Sequence, residues 1–278
     1  MNMGLPAATG ALPTPGPFSA LTRHRSLTIE LAKRDVLGRY RGASFGLLWS
    51  LISPFLMLMV YSFSFGFVMK ARWPQGNHGP ANYSVILFMG LIVHGFFAEC
   101  INRSPYLVTG NVNFVKKVIF PLEILPWPMV ASALFHALMN IIVFLALHAY
   151  FDHTLAWTTI FMPLVMLPLV LLALGVAWFL AAIGVYFRDI GQITGVLTTA
   201  LLFLSTALFP IDSLPQQYRW LLLVNPLTFI IDQARAVALW GELPDWTGLG
   251  IYTVISLVAV YLGYSVFRLT RRGFADVV

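Results

Sequence analysis

The stretch FGLLWSLISPFLMLMVYSFSFGFV, residues 45–68, decides the fold class. It carries no charge, while Arg39 and Arg41 precede it and Lys70 and Arg72 follow it. At about 1.5 Å per helical residue, such a segment reaches across the roughly 30 Å of hydrocarbon in a bilayer. The same pattern recurs at Tyr83–Ile101, Pro126–Tyr150, Trp157–Phe187 and Thr247–Phe267, and in a shorter uncharged stretch, Ile193–Phe209. Composition agrees: of 278 residues, 59% are hydrophobic, 14% aromatic and only 10% charged, against about 25% charged in soluble chains. So few charges cannot cover a water-facing surface. The sequence predicts an all-α membrane protein of six transmembrane helices, with no separate soluble domain.

The net charge of +6 is a topology signal, and no nucleic-acid partner is expected. Arg23, Arg25, Lys33, Arg34, Arg39 and Arg41 precede the first span; Arg103, Lys116 and Lys117 follow the second. Arg188 follows the fourth, and Arg268, Arg271 and Arg272 follow the last. The opposite side holds only Lys70, Arg72, Arg219 and Arg235. By the positive-inside bias both termini are cytoplasmic in an inner membrane, as an even number of spans requires. Residues 1–24, with four prolines among Ala, Gly and Thr, predict a disordered arm. They lack the basic start and apolar run of a signal peptide, so no cleavage is expected.

A search for catalytic motifs returns nothing: no GxxxxGK[ST], HExxH, CxxC or GxSxG occurs, so no catalytic, cofactor-binding or metal-ligating residue is expected. Cys100 is the single cysteine, which excludes an internal disulfide or a multi-thiolate metal site. Energy for uphill transport would come from an ion gradient or a partner ATPase. A gradient-driven carrier usually needs ionisable groups at mid-membrane. Glu99 is better read as an ion pair with Arg103 one turn on, and His136 with Asn140 as a helix–helix hydrogen-bonding pair. A membrane-embedded glycosyl- or acyltransferase would need a converging acid–base set, which Glu99, His94 and His136 do not form.

Three connecting segments are unusual. In Arg25–Gly42, residues Ile29, Ala32, Val36 and Tyr40 make one helical stripe beside Lys33, Arg34, Arg39 and Arg41, as in a helix lying in the headgroup layer. In 111–126, NVNFVKKVIFPLEILP, a short helix would gather Phe114, Val118 and Ile119 with Lys116 and Lys117 turned away, a surface for a protein partner. In 208–235, LFPIDSLPQQYRWLLLVNPLTFIIDQAR, the segment around Asn225-Pro226 is apolar but too short to cross. It predicts a re-entrant hairpin, with Asp232 and Arg235 spaced to pair. Gly42 and Gly46 mark the turn from the interface helix into the first span.

Taken in order, ELAKRDVLGRYRGASFGLLWSLISP, NVNFVKKVIFPLEILP, VYFRDI, FPIDSLP…LLLVNPLTFIIDQARA and RRGFADVV resemble the permease subunit of polysaccharide-export ABC transporters, which export O-antigen, capsule or teichoic-acid chains. The resemblance covers residues 25–278. It implies a homodimer that rests on two copies of an ATP-binding subunit, with ATP and Mg bound there, and a lipid-linked polysaccharide, O-antigen first, as cargo. A drug- or lipid-exporting permease is the nearest neighbour within that class. The resemblance also makes Asn113, Phe114, Lys116, Lys117, Ile119 and Phe120 the coupling helix on the ATPase. It makes 27–40 the interface helix and 212–231 the periplasmic gate, with Pro210, Asp212, Pro215, Trp220, Asn225 and Pro226 as its residues. Leu122 stands where the family often has arginine, and Ser205-Thr206-Ala207 where it often has proline. A channel for sugars favours aromatic rings, so Trp49, Tyr61, Phe65, Phe88, Phe96, Phe97 and Trp178 are candidate linings. Lys33, Arg39 and Arg41 are candidates for a pyrophosphate headgroup.

Overall fold

The computed structural model describes residues 16–69, 73, 83–115, 120–152 and 156–277. Those residues form helices joined by turns, with no strand among them. Two short helices come first, α1 (Pro17–Arg23) and α2 (Arg25–Arg39). Five helices are long and apolar enough to span a bilayer: α3 (Gly46–Val68), α4 (Tyr83–Arg103), α5 (Leu122–Tyr150), α6 (Trp157–Tyr186) and α10 (Trp246–Gly273). Between α6 and α10 come α7 (Ile190–Phe203) and a pair, α8 (Gln216–Val224) and α9 (Pro226–Trp240), bent by 90° at Asn225.

The long spans fall close to the expected ones, although α10 runs past Phe267 to Gly273; α7 differs. That helix starts at Ile190 and ends at Phe203, about 21 Å long at 1.5 Å per residue and short of a full crossing. Leu204–Pro210, expected to complete it, runs on without α-helix. The reason lies in two side chains from the next element. Asn225 Nδ2 donates to the carbonyls of Leu201 and Leu204, both at 2.8 Å. Arg235 donates to those of Thr206 at 2.6 Å and Ala207 at 3.0 Å. Backbone acceptors that a longer helix would satisfy internally are satisfied from outside.

The arm expected over residues 1–24 is helical from Pro17 to Arg23. Pro17 sits in the first turn, where its missing N–H costs nothing. Phe18 packs against Trp127 at 5.9 Å between ring centroids, and Ala20 clusters with Leu31 and Ile124. Residues 1–15 lie outside the described residues.

The centre of the bundle is α4 and α6. Met89, Ile92, Val93 and Cys100 of α4 pack with Leu169, Ala173, Ala177 and Trp178 of α6, all buried. The tightest helix pair is α6 with α10. A Cβ added to Gly175 would come within 2.5 Å of the Ala259 backbone, and one added to Gly263 would overlap the Gly175 carbonyl. Such close approach is the use of small residues between membrane helices. By contrast α3 lies at the edge, with Phe55, Met59, Phe63 and Phe67 exposed. Between α2 and α3 the chain turns through Gly42 (φ 86°) and Gly46 (φ 49°), left-handed conformations that a Cβ would disfavour.

Candidate functional site

At one end of the bundle α2 lies against α4 and α5, and charged side chains make the joint. Arg103 Nη2 donates to both Asp35 oxygens at 2.6 and 2.7 Å. Its Nη1 donates to Glu99 Oε1 at 3.0 Å, as the one-turn spacing predicts. Glu99 also accepts from the guanidinium of Arg39, and His136 Nδ1 of α5 lies 3.5 Å from the same carboxylate. One carboxylate thus gathers groups from three helices. Apolar periodicity records no such partner, so Asp35 and the bond from Arg39 to Glu99 were not read from the sequence. Burial raises the Tyr40 phenol above its ordinary pKa, with Arg39 opposing, so the ring carries a neutral hydroxyl.

The face of α2 that turns inward lies beside the expected apolar stripe, not on it. Thr28 and Leu31 are buried, Asp35 is half-buried, and Ile29 is 62% exposed. The bonds from Arg103 to Asp35 turn that face inward, and Leu31 meets Ile124 and Ala20. Lys33, Arg34 and Arg41 point to the surface. Arg34 lies over the Phe114 ring at 5.9 Å. Leu31, Arg34, Arg39, Arg103, Phe114 and Met129 help line a cleft of about 570 Å³ beneath α2.

The connector from α4 to α5 holds one-turn helices at Tyr106–Thr109 and Val112–Val115. Of the coupling residues, Asn113, Phe114 and Phe120 are described, whereas Lys116, Lys117 and Ile119, with Val118, lie outside the described residues. Phe114 and Phe120 stack face to face, 4.3 Å between centroids. Immediately after them Glu123, at the start of α5, ties the end of the connector to two distant helices. Its carbonyl accepts from Trp178 Nε1 of α6 at 2.9 Å, and its carboxylate accepts from Arg271 of α10. Leu122 beside it is buried in the core.

At the opposite end, Asn225 caps α9 by accepting from Leu227 N at 2.8 Å, and Pro226 fills the first helical position. This is the bend that the Asn-Pro pair predicted. Asp212 pairs with Arg219 at 3.1 Å, while Pro215 and Trp220 are exposed and Pro210 is half-buried. Asp232 and Arg235 approach to 3.7 Å, and Asp232 also accepts from Thr206 Oγ1 at 2.8 Å. Arg235 itself is fully buried: besides Thr206 and Ala207 it donates to Ile86 O at 3.1 Å, and its guanidinium lies 4.7 Å from the Trp73 ring centre.

The candidate channel aromatics separate into two groups. Trp178 is fully buried between Trp127 and Tyr264, and Phe88, Phe96 and Phe97 are 5% exposed or less, within the core of this subunit. Trp49, Tyr61 and Phe65 of α3 remain partly accessible. Among the described residues no cluster of His, Cys, Asp or Glu has a metal-binding arrangement.

Known proteins resemble this chain along most of its length. A 27% identical relative, the O-antigen export system permease protein RfbA of Myxococcus xanthus, aligns over 92% of this chain and 96% of its own length. The polysialic acid transport protein KpsM of Escherichia coli is 26% identical over 88% of this chain and 93% of its own. The capsule polysaccharide export inner-membrane protein BexB of Haemophilus influenzae is 22% identical over 87% and 90%. Residues 26–239, from α2 to the end of α9, match the family described as ABC-2 type transporter, and this chain belongs to that family.

Proposed function

We propose that this chain is the membrane-spanning subunit of an ATP-driven exporter that moves a lipid-linked polysaccharide of the O-antigen type across the inner membrane, from cytoplasm to periplasm. The observation that carries the reading is the end-to-end likeness to O-antigen permeases. The comparable coverage of the KpsM and BexB relatives favours capsular polysaccharide as the second reading. The chain hydrolyses nothing itself; ATP and Mg belong to a partner subunit, present in two copies beneath a homodimer of this chain. Both termini are cytoplasmic, as the distribution of Lys and Arg requires.

The partner docks on 113–120, where Phe114 and Phe120 form an aromatic surface and Lys116 and Lys117 supply charge. Its closure on ATP pushes this connector. Glu123 passes the displacement to α6 through Trp178 and to α10 through Arg271. Exposed Lys33, Arg34 and Arg41 attract the anionic headgroup, each contributing about 1 kcal/mol near an anionic surface; Arg39 is committed to Glu99 instead. Trp49, Tyr61 and Phe65 of α3 are the candidate aromatics that remain accessible to a glycan. The bent α8–α9 pair, with Asp212, Trp220, Asn225 and Pro226, closes the periplasmic side.

The test is a mild-detergent pull-down of the tagged chain from native membranes, with mass spectrometry of what accompanies it. A stoichiometric ATP-binding subunit is the expected result. If none accompanies it even after cross-linking, and transport survives ATP depletion but not an uncoupler, the reading falls and a gradient-driven carrier takes its place.

A further inference from the structure

We propose that a polar cleft enclosed by the end of α2 and by α3, α4 and α5 binds a sugar ring, the first monosaccharide of a lipid-linked glycan. The proposal rests on the export reading and goes beyond it by naming a receiving site inside a single subunit. The cleft measures about 370 Å³, in the range of small-molecule sites. Tyr40, Trp49, Ser53, Glu99, His136 and Asn140 are among its lining. A pyranose offers hydroxyls that both donate and accept, together with apolar C–H faces. Asn140 can both donate and accept, His136 can donate or accept at its ring nitrogens, and the Tyr40 and Trp49 rings offer faces for stacking.

The observation that points to a ligand is His136. Its side chain is 11% exposed, and both ring nitrogens are buried without a hydrogen-bond partner among the described residues. Nδ1 approaches the Glu99 carboxylate at 3.5 Å, while Nε2 has no hydrogen-bond partner among the described residues. A buried polar nitrogen left unpaired costs about 1–3 kcal/mol, so such a group in a polar cleft marks a place for a partner. Asn140, one turn further along α5, likewise makes no side-chain hydrogen bond among the described residues. Opposite them is space kept open: a Cβ added at Gly95 of α4 meets no atom within 4 Å.

The cleft adjoins a second of about 230 Å³ that shares Ser53, Pro54 and Asn140 and runs on past Met57, Tyr61, Phe88 and Leu91. Its far walls are apolar and aromatic. A polar chamber beside the basic end of the bundle, continued by an apolar groove between α3 and α4, fits an amphiphile with a sugar at its head and a hydrocarbon tail.

The test uses the full chain in lipid nanodiscs and two probes: polyprenyl-pyrophosphoryl-N-acetylglucosamine, and polyprenyl pyrophosphate without the sugar. The expected result is about tenfold tighter binding of the sugar-bearing probe, the yield of roughly one or two hydrogen bonds. His136→Ala removes that preference and leaves the sugar-free probe unchanged. Gly95→Leu, whose Cβ meets no atom within 4 Å, projects into the cleft and also abolishes the preference, whereas Gly250→Leu on exposed α10 retains it. Equal affinity for both probes, or a preference that survives Gly95→Leu, overturns the site. Loss of preference in a chain that still captures its ATP-binding subunit removes this site and leaves the export reading standing. A sugar preference in a chain with no such subunit keeps the site and removes the ATP-driven reading.

Discussion

Arg235 Nη2 donates to the carbonyl of Ala207 at 3.0 Å, across 28 residues of chain. With the bonds to Thr206 and Ile86, one guanidinium joins the unwound end of α7, the start of α4 and the outer hairpin. Replacing Arg235 with Met should lower stability by about 3 kcal/mol or more, because three buried carbonyls lose their donor. Lys keeps the charge but cannot aim donors in three fixed directions, so Arg235→Lys should recover only part. Thermal unfolding in nanodiscs measures both, and a melt unchanged by Arg235→Met would show that water replaces the guanidinium.

Asn225 serves both sides of the 90° bend, as a cap for α9 and a donor to two carbonyls of α7. Asn225→Ala should cost about 2 kcal/mol, the upper range for a lost cap, while Asn225→Asp keeps the cap but not the donors and should fall between. Cysteine cross-linking between α7 and α9 reports whether the bend has opened; unchanged cross-linking in the Ala variant counts against this role.

Gly175 is the contact point of α6 with α10, where an added Cβ would lie 2.5 Å from the Ala259 backbone. Gly175→Leu should prevent the folded state from accumulating, and Gly175→Ala should weaken it by about 1–3 kcal/mol, as overpacking does. Gly250→Ala, in open space on the same α10, is the control. Yield of monodisperse protein by size-exclusion chromatography separates the three.

The Asp35–Arg103–Glu99–Arg39 network is only partly buried, with Arg103 30% and Asp35 33% exposed, so its energy is discounted for solvent. Asp35→Asn should cost about 1 kcal/mol at most, yet free α2 to leave α4. Faster proteolysis between α1 and α3 is the readout. Asp35→Glu keeps the charge for Arg103 and should retain protection; if Asp35→Asn leaves proteolysis unchanged, the joint depends on packing around Leu31 instead.

Phe114→Asp should uncouple the proposed ATPase by placing a charge in the Phe114–Phe120 stack. Export should fall at least tenfold while the complex still assembles, measured by surface polysaccharide and by co-purification. Full export in that variant would sink the docking assignment.

The spans and the bias of Lys and Arg were legible in the chain because both are properties of local composition. A run such as 45–68 has no aqueous alternative, and the Asn225-Pro226 bend follows from the fixed backbone of proline and the capping habit of asparagine. The Glu99–Arg103 pair was legible for the same reason, since helical spacing alone brings the two together.

Tertiary structure alone decided which face of α2 turns inward, that Arg39 meets Glu99 across 60 residues, that Trp178 serves the core, and that α7 stops at Phe203. Each depends on a partner supplied by another helix. Apolar periodicity measures distance from water or lipid, not which polar group will be waiting there; the directional bonds of Arg103, Asn225 and Arg235 exist only once the helices have packed.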